Sequence, residues 1–489
     1  MKQTFTFILL LSLSCQIKAQ VKLTLNDAIR IAQEQSYAAQ IARFNFLSSY
    51  WTYRSYKAEL LPSMSLSGSL LNYDRSIVEV RNSDDGKINY VENNSLSNYL
   101  TLSVDQRIVA TGGTVSLQSY LYRLDQFDYD LTTYNTQPVR ISYTQPLQSY
   151  NELKWEKKLA PKRYLIAEKQ YMESLEDITI QTASLFFAVL NAQSSYKQSL
   201  KSCEDRTTLY DMAKKRFELG TMTKSDILQM ELSLLNEQVA VNDNKISLDD
   251  CLFSLFSYLR ITDYDGVELI PPYSIPNVLI DADFVMQKVK ENTSFVHEQE
   301  LSLMESEENL AKIKSQKGIQ VELHSELGFT QSANTFSSAY SKLKDNEIIG
   351  LSVTLPIFDW GVSRGKVNMA EAQLEIVKTE AEQEEMKMVQ SVNQKIKQFN
   401  NQQLQCKSAL RAQDISEERY EISKRLFGTG SISVTELNTA QQEMESANAQ
   451  YLSQLQTFWS GYYELRKLTL YDWILKRDIE VNVDDIIKR

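Results

Sequence analysis

A chain of 489 residues with 63 acidic and 52 basic side chains has a formal net charge of −11, which argues against nucleic acid as a partner. Length alone suggests about three ordinary domains. Only 14 glycines and 8 prolines occur, well below the usual shares of about 7% and 5%, so long uninterrupted helices are expected.

Lys2, the apolar run Phe5 to Leu13 and the sequence Ile17-Lys18-Ala19 read as a secretory signal peptide over residues 1–19, cleaved after Ala19. Cys15 raises lipidation as an alternative, although Leu13 and Ser14 before it fit a lipidation signal poorly. Loss of Lys2 and Lys18 with no acid would take the net charge from −11 to −13. No later stretch approaches the 18 or more apolar residues of a spanning helix. Any membrane crossing by the mature chain therefore needs β-strands.

Leu25 to Leu60 has a helical pattern with Ala28, Ile31, Ala32, Ala38, Ala39 and Ala42, and Pro62 ends it. Period-two segments follow. Met64, Leu66, Gly68 and Leu70 alternate with Ser65, Ser67 and Ser69, and Val139, Ile141 and Tyr143 alternate with Arg140, Ser142 and Thr144. Such alternation predicts strands with one apolar and one polar face. Between them Leu100, Leu102 and Val104, the turn Thr111-Gly112-Gly113, and Val115 and Leu117 predict an extra hairpin at about 99–124. Asp84-Asp85-Gly86 and Asn93-Asn94 are expected in exposed loops.

From about Tyr150 to Leu219 the chain is almost free of breakers apart from Pro161; such a helix would be about 100 Å long. After Gly220 it returns with Ile227, Leu234, Val241, Leu248 and Leu255 every seventh residue and Leu252 and Leu259 in the second seam position, a coiled-coil pattern. The same plan then recurs. Strand alternation returns at Val321, Leu323, Leu327 and Phe329, and at Leu351, Val353, Leu355 and Ile357. A second long helix is expected over Val362 to Phe427.

The recurrence is a duplication. Tyr210, Phe217, Gly220, Asp226 and Ile227 meet Tyr420, Phe427, Gly430, Glu436 and Leu437 at a constant offset of 210. Upstream of the strands the offset is 256, so the first copy holds an insertion of 46 residues. An internal repeat of this length sets architecture before any motif is considered. The expected organisation is a first repeat over 20–264 with strand region 63–147, a second over 281–472 with strand region 319–357, and a tail over 473–489.

Chemistry is sparsely signalled. There is no nucleophile elbow, P-loop or zinc-binding helix motif. His297 and His324 lack partners at metal-ligand spacing, and Cys203, Cys251 and Cys406 are widely spaced with no C-x-x-C pair, which suits buried small hydrophobes. Acid pairs such as Glu384-Glu385 read as solvated faces. No catalytic residue, metal or cofactor is expected, and an enzyme has no motif behind it. The turns Leu219-Gly220-Thr221 and Thr429-Gly430-Ser431 join antiparallel helices, with Gly as the left-handed cap. Asp226 and Glu436 fall in the first turns of the returning helices, where acids favour the helix dipole.

In Leu23-Thr24-Leu25-Asn26-Asp27-Ala28, in Leu61-Pro62-Ser63-Met64-Ser65-Leu66, in Leu355-Pro356-Ile357-Phe358-Asp359-Trp360-Gly361 and in the two hairpin turns, the chain resembles the TolC family of outer-membrane efflux channels. The resemblance covers nearly the whole mature chain. It implies a mixed α/β membrane protein: antiparallel strands that contribute to one shared trimeric transmembrane β-barrel, and long antiparallel coiled-coil helices that form a periplasmic tunnel. It implies a homotrimer in outer-membrane lipid, docked onto a periplasmic adaptor (membrane fusion) protein and an inner-membrane pump, serving as a passive duct for efflux or type I secretion. Leu219, Gly220, Thr221, Thr429, Gly430 and Ser431 would form the docking tip. Glu436, six residues after Gly430, would constrict the tunnel, with Asp226 its counterpart in the first repeat.

Two positions depart from the family pattern: Thr439 where a second acid is expected, and Ile432 where a basic latch residue is expected. The extra hairpin either widens the barrel or projects outside it. The alternative function is a periplasmic coiled-coil scaffold or adaptor, whose strands would form a soluble sheet. An outward apolar band with aromatic girdles, for which Trp155, Phe358 and Trp360 are candidates, separates the two readings.

Overall fold

The computed structural model describes residues 22–488 apart from 82–87, 149, 265, 273, 274, 277 and 279. The expected signal peptide with Cys15 and the Asp84-Asp85-Gly86 loop lie outside the described residues.

The duplication is visible in element lengths. A short strand β1 (Lys22–Thr24) leads into α1 (Leu25–Gln35) and α2 (Tyr37–Glu59), of 11 and 23 residues. Four strands follow: β2 (Ser63–Arg81), β3 (Ile88–Arg107), β4 (Thr114–Gln126) and β5 (Leu131–Pro146). Then come α3 (Glu152–Glu218, 67 residues), α4 (Lys224–Leu259, 36 residues) and the short β6 (Glu268–Ile270). The second repeat has α5 (Ala282–Asn292, 11 residues) and α6 (Phe295–Lys317, 23 residues). It continues with β7 (Gln320–Ala333), the single turn α7 (Phe336–Ala339) and β8 (Lys344–Thr354). It closes with α8 (Val362–Thr429, 68 residues) and α9 (Val434–Thr469, 36 residues).

Leu25 to Leu60 is not one helix. It divides at Ser36, whose extended backbone ends α1 and whose Oγ accepts from the Ala39 amide at 3.1 Å to start α2. A serine cap inside an alanine-rich run competes with helix propagation. The expected tail forms a small hairpin, β9 (Tyr471–Asp472) with β10 (Arg477–Asp478), and a last turn of helix, α10 (Val483–Lys488).

The chain falls into two compact units, and each repeat contributes to both. The strand unit, residues 46–169 and 294–387, holds a six-stranded antiparallel sheet in the order β2-β3-β4-β5-β7-β8. The expected extra hairpin is β3 and β4, inserted in line between β2 and β5. Its turn is closed by the Gly112 amide on Ile108 and the Ile108 amide on the Gly113 carbonyl. β3 begins earlier than expected, so Asn93 and Asn94 are strand residues and not a loop. Asn93 lies opposite Ser76 and donates to Asp74 Oδ2 at 2.8 Å.

Cross-strand register sorts the side chains into two faces, because neighbours in register share a face. One row runs Met64, Val104, Leu117, Ile141, Leu327. The adjacent row, on the opposite face, runs Ser65, Ser103, Gln118, Arg140, Gly328, Asn346. The polar face carries ion pairing: Arg140 lies 3.7 Å from Glu326, donates to Gln118, and shares Glu326 with Asn346 at 2.8 Å. The apolar face is uncovered: Leu66 is 69% exposed, Leu117 46% and Ile349 78%. A half-buried soluble sheet hides its apolar side, and this one does not.

The helical unit comprises residues up to Asn45, Gln170–Thr293 and the chain from Met388 onward. Its core holds Phe186, Phe187, Phe399, Phe458 and Tyr462, all buried. Phe399 and Phe458 stack at 5.3 Å. β1 and β6 pair in parallel with Leu23 and Leu269 buried. Arg466 joins α9 to α3: Nη2 donates to Glu176 Oε1 at 2.8 Å and Nη1 to Asp472 Oδ2 at 3.4 Å, while the Tyr462 hydroxyl holds Asp472 Oδ1 at 2.9 Å. Glu176 is almost wholly buried, so the guanidinium is what compensates its charge. Among the described residues no helix is long and apolar enough to cross a membrane, and no cluster of potential metal ligands occurs.

Candidate functional site

The two helical turns are built by the same hydrogen bonds. Gly220 and Gly430 have left-handed backbones, with φ of +73° and +79°. At the first turn the Gly220 amide donates to Phe217 O and the Thr221 amide to Arg216 O, each at 2.9 Å. At the second the Gly430 amide donates to Phe427 O at 3.0 Å and the Ser431 amide to Leu426 O at 2.9 Å. This 6→1 and 5→2 pair is the Schellman arrangement, which satisfies carbonyls that a helix end otherwise leaves open.

Each returning helix starts with a capping box. The Thr223 hydroxyl accepts from the Asp226 amide at 3.2 Å while Asp226 Oδ2 accepts from the Thr223 amide at 3.3 Å. Ser433 and Glu436 repeat it, the Glu436 carboxylate accepting from the Ser433 amide at 2.8 Å. Hydrogen bonds from Ser433 hold the Glu436 carboxyl below the usual range, because they favour the ionised form. Both acids therefore serve the helix start, as their sequence position suggests.

Behind the turns the two hairpins share a core of Leu209, Ala213, Met230, Tyr420, Phe427 and Leu437. Met222 and Ile432 pack against it. Ile432, at the position where a latch would be basic, is thus an apolar plug. Polar ties flank the core: Lys424 pairs with Asp205, which also accepts from the Tyr420 hydroxyl at 3.2 Å, and Arg206 donates to Asn438 at 2.9 Å. Thr439, where a second acid would stand, donates to the Thr435 carbonyl within its own helix at 2.9 Å.

The outermost residues are open. Leu219 is 78% exposed, and Thr221, Thr429, Gly430 and Ser431 are exposed. Thr429 and Ser431 join hydroxyls at 2.9 Å. Asp226 is half-buried and Glu436 is exposed. Arg216 was not singled out from the sequence. Its Nη1 donates to Phe427 O at 3.3 Å and its guanidinium lies over the Phe427 ring, so it clasps one turn to the other. A Cβ on Gly430 would sit 3.1 Å from Arg216 Nη2, whereas one on Gly220 would meet open space. The sequence signal for Arg216 is only its place four residues before Gly220.

At the strand exits Phe358 and Trp360 meet at 4.6 Å, and Trp360 is 88% exposed. Trp155 is half-buried with Lys158 over its ring. At the other end of the strands Tyr73, Phe127, Tyr129 and Phe336 are exposed. Exposed aromatics thus stand at both ends of the apolar face. The histidines have ordinary partners: His297 Nδ1 is 3.0 Å from Lys162, and His324 Nδ1 is 3.2 Å from Thr144. Cys406 is buried, Cys203 and Cys251 are half-buried, and none of the three forms a disulfide.

Residues 289–468 match the family of outer membrane efflux proteins. Among solved structures, the chain is similar to the Campylobacter jejuni CmeC outer membrane channel, with a TM-score of 0.67 at 14% identity over 95% of this chain and 88% of that one. It is similar to the Neisseria gonorrhoeae MtrE outer membrane channel in its open state, with a TM-score of 0.62 at 14% identity over 94% and 91%. It is also similar to the Vibrio cholerae outer membrane protein VceC, with a TM-score of 0.63 at 12% identity over 93% and 97%. No curated protein matches the sequence. The fold is thus the one these solved outer-membrane channels have, and the family match falls within the second repeat.

Proposed function

We propose that three copies of this chain form a passive export duct, with strands closing a barrel in the outer membrane and the helical turns docking onto a periplasmic adaptor and, through it, an inner-membrane pump. The observation that carries this reading is the two-faced sheet. Its uncovered apolar face suits lipid, and its polar, ion-paired face suits a water-filled lumen. A periplasmic scaffold or adaptor would have to bury the apolar face, and the aromatic residues at both strand ends favour lipid as well.

A second stripe on α4 supports self-association. Leu228, Leu232, Leu235, Val239, Ile246 and Phe253 are all at least half exposed and recur at heptad-related spacing beside the buried seam of Ile227 and Leu255. An apolar coiled-coil seam with no partner in its own chain suits a neighbouring copy. Leu219, Gly220, Thr221, Thr429, Gly430 and Ser431 form the docking tip in this reading. Three copies of Glu436, with Asp226 beside them, line the constriction, where like charges in a narrow space draw cations. No step of chemistry is required of the chain.

The test is export in cells lacking the native channel. Gly430→Trp should abolish most export while trimer yield stays near normal. Export unaffected by bulky residues at both Gly220 and Gly430 would refute the tip.

A further inference from the structure

The duplicated plan alone supplies two strands per repeat, or four per chain. This sheet has six, because β3 and β4 enter between β2 and β5. We propose that the inserted hairpin is part of the barrel wall, so that three copies close an 18-stranded barrel by pairing β2 of one copy with β8 of the next. The inference rests on the trimeric reading above and goes beyond it in strand number and width.

Three observations carry it. The first is face continuity. Leu100, Leu102 and Val104 of β3, and Leu117 and Leu121 of β4, stand in register with Met64 and Leu66 on one side and with Ile141 on the other. Leu100, Leu102 and Leu117 are exposed to the same degree as Ile141. A hairpin projecting into water would have no reason to keep this band. The second is pairing. β3 is bonded to β2 from Ser63 to Arg81, and β4 to β5 over nearly its whole length, so the hairpin has no free edge. The polar rows also cross it without a break, Ser65 bonding Ser103 at 2.9 Å and Arg140 bonding Gln118.

The third is parity and the two remaining edges. Six alternating strands leave β2 and β8 antiparallel, as head-to-tail closure of an antiparallel barrel requires. Neither strand contains proline, and both present apolar residues on the common face, Met64 and Leu66 on one and Ile349, Leu351 and Val353 on the other. Unpaired strand edges are pairing sites; the regular stretches are Ser63–Ser69 of β2, ahead of its bulge at Ser69/Asn72, and Ile348–Thr354 of β8, beyond the charged Lys344, Asp345 and Glu347. Four strands per chain would give a backbone diameter of about 24 Å, and six about 36 Å, at a strand spacing of about 4.8 Å and a tilt of about 40°. The barrel at the outer membrane is then about 1.5-fold wider in backbone diameter than the repeat alone would build, in the range where barrels hold an open aqueous channel. Selection by size would fall to the helical tip and not to the barrel, which would suit cargo too bulky for a 12-stranded pore.

The experiment places single cysteines at Leu102→Cys and Leu117→Cys on the apolar face, and at Ser103→Cys and Gln118→Cys on the polar face. The full-length chain carries them with its native cysteines replaced, in lipid vesicles, and a water-soluble maleimide is applied. The polar-face thiols should label at least about tenfold faster, since a thiol in hydrocarbon meets neither water nor reagent. Electron micrographs of the trimer viewed down its axis should show a barrel about 1.5-fold wider than that of a variant lacking residues 82–130, which joins β2 directly to β5. A trimer with equal labelling of both faces would overturn the inference and leave the trimeric reading intact. A monomeric mass would overturn the trimeric reading and the strand number with it. Should the shortened variant fail to fold, the labelling contrast alone still decides.

Discussion

At Glu436 one carboxylate is offered two roles, and the capping box provides the means to separate them. Glutamine also completes such a box, so Glu436→Gln keeps the bond to Ser433 and removes only the charge. In bilayer recordings under a salt gradient, Glu436→Gln should lower cation preference, and Asp226→Asn should lower it less. An unchanged reversal potential for Glu436→Gln would leave capping as the whole role. The lowered carboxyl pKa has a second consequence. Because the folded value lies below the unfolded one, the box stabilises the helix start above about pH 4.3 and loses that contribution as pH falls through the folded value. The protection factors of amides at the start of α9, which are corrected for intrinsic exchange, should therefore fall on acidification in the native chain and change little in Glu436→Gln. Deeper in the helices Arg466 compensates the buried Glu176. Arg466→Met would strand Glu176 without its guanidinium, and thermal melting in detergent should show a loss of about 3–5 kcal/mol. The helix-start role of Asp226 and Glu436 was legible because the repeat placed them in register after Gly220 and Gly430. The clasp of Arg216 on Phe427 and the pairing of Arg466 with Glu176 were not, because those partners lie 211 and 290 positions away along the chain.

Among the elements, helices and strands were readable where one period persists. The alternation at Met64 to Leu70 and Leu351 to Val353, and the long runs without breakers, became β2, β8, α3 and α8. Two misreadings share a cause, a polar residue judged by its local habit. Ser36 caps a helix within a run of good helix formers, and Asn93 pairs across a ribbon although asparagine favours turns. On α4 the expected seam is buried at Ile227 and Leu255 and only half-buried at Leu234, Val241 and Leu248, and the second stripe at Leu232, Leu235 and Val239 was not read from the sequence. That stripe should govern assembly. Leu232→Gln with Val239→Gln should weaken the trimer by about 1.5–3 kcal/mol for each side chain that a neighbour covers, and should leave the helicity of the chain unchanged. Native mass measurement at falling concentration reads the dissociation directly. At the tip, Gly430→Trp forces a side chain into a left-handed backbone, at a cost of about 1–2 kcal/mol, and displaces Arg216 from Phe427. Gly220→Trp carries the same backbone cost with no displaced neighbour. The pair thus tests whether export needs the clasp or only the turn.

For the whole molecule, the duplication was the most legible feature, because the two copies repeat the helix lengths of 11, 23, 67 or 68, and 36 residues while their sequences have diverged. The fate of the 46-residue insertion was not legible, since alternation marks strands but does not say which neighbours they join. The register of β3 against β2 and of β4 against β5 supplies that. The central claim is that this chain is a wall between lipid and water which becomes a channel only when copies join. The most direct test is the mass of the detergent-extracted complex, measured together with its conductance in a planar bilayer. Three chains per particle, extractable only with detergent and conducting ions, is the expected result. A particle of one chain that conducts, or a chain that leaves the envelope fraction without detergent, would contradict it.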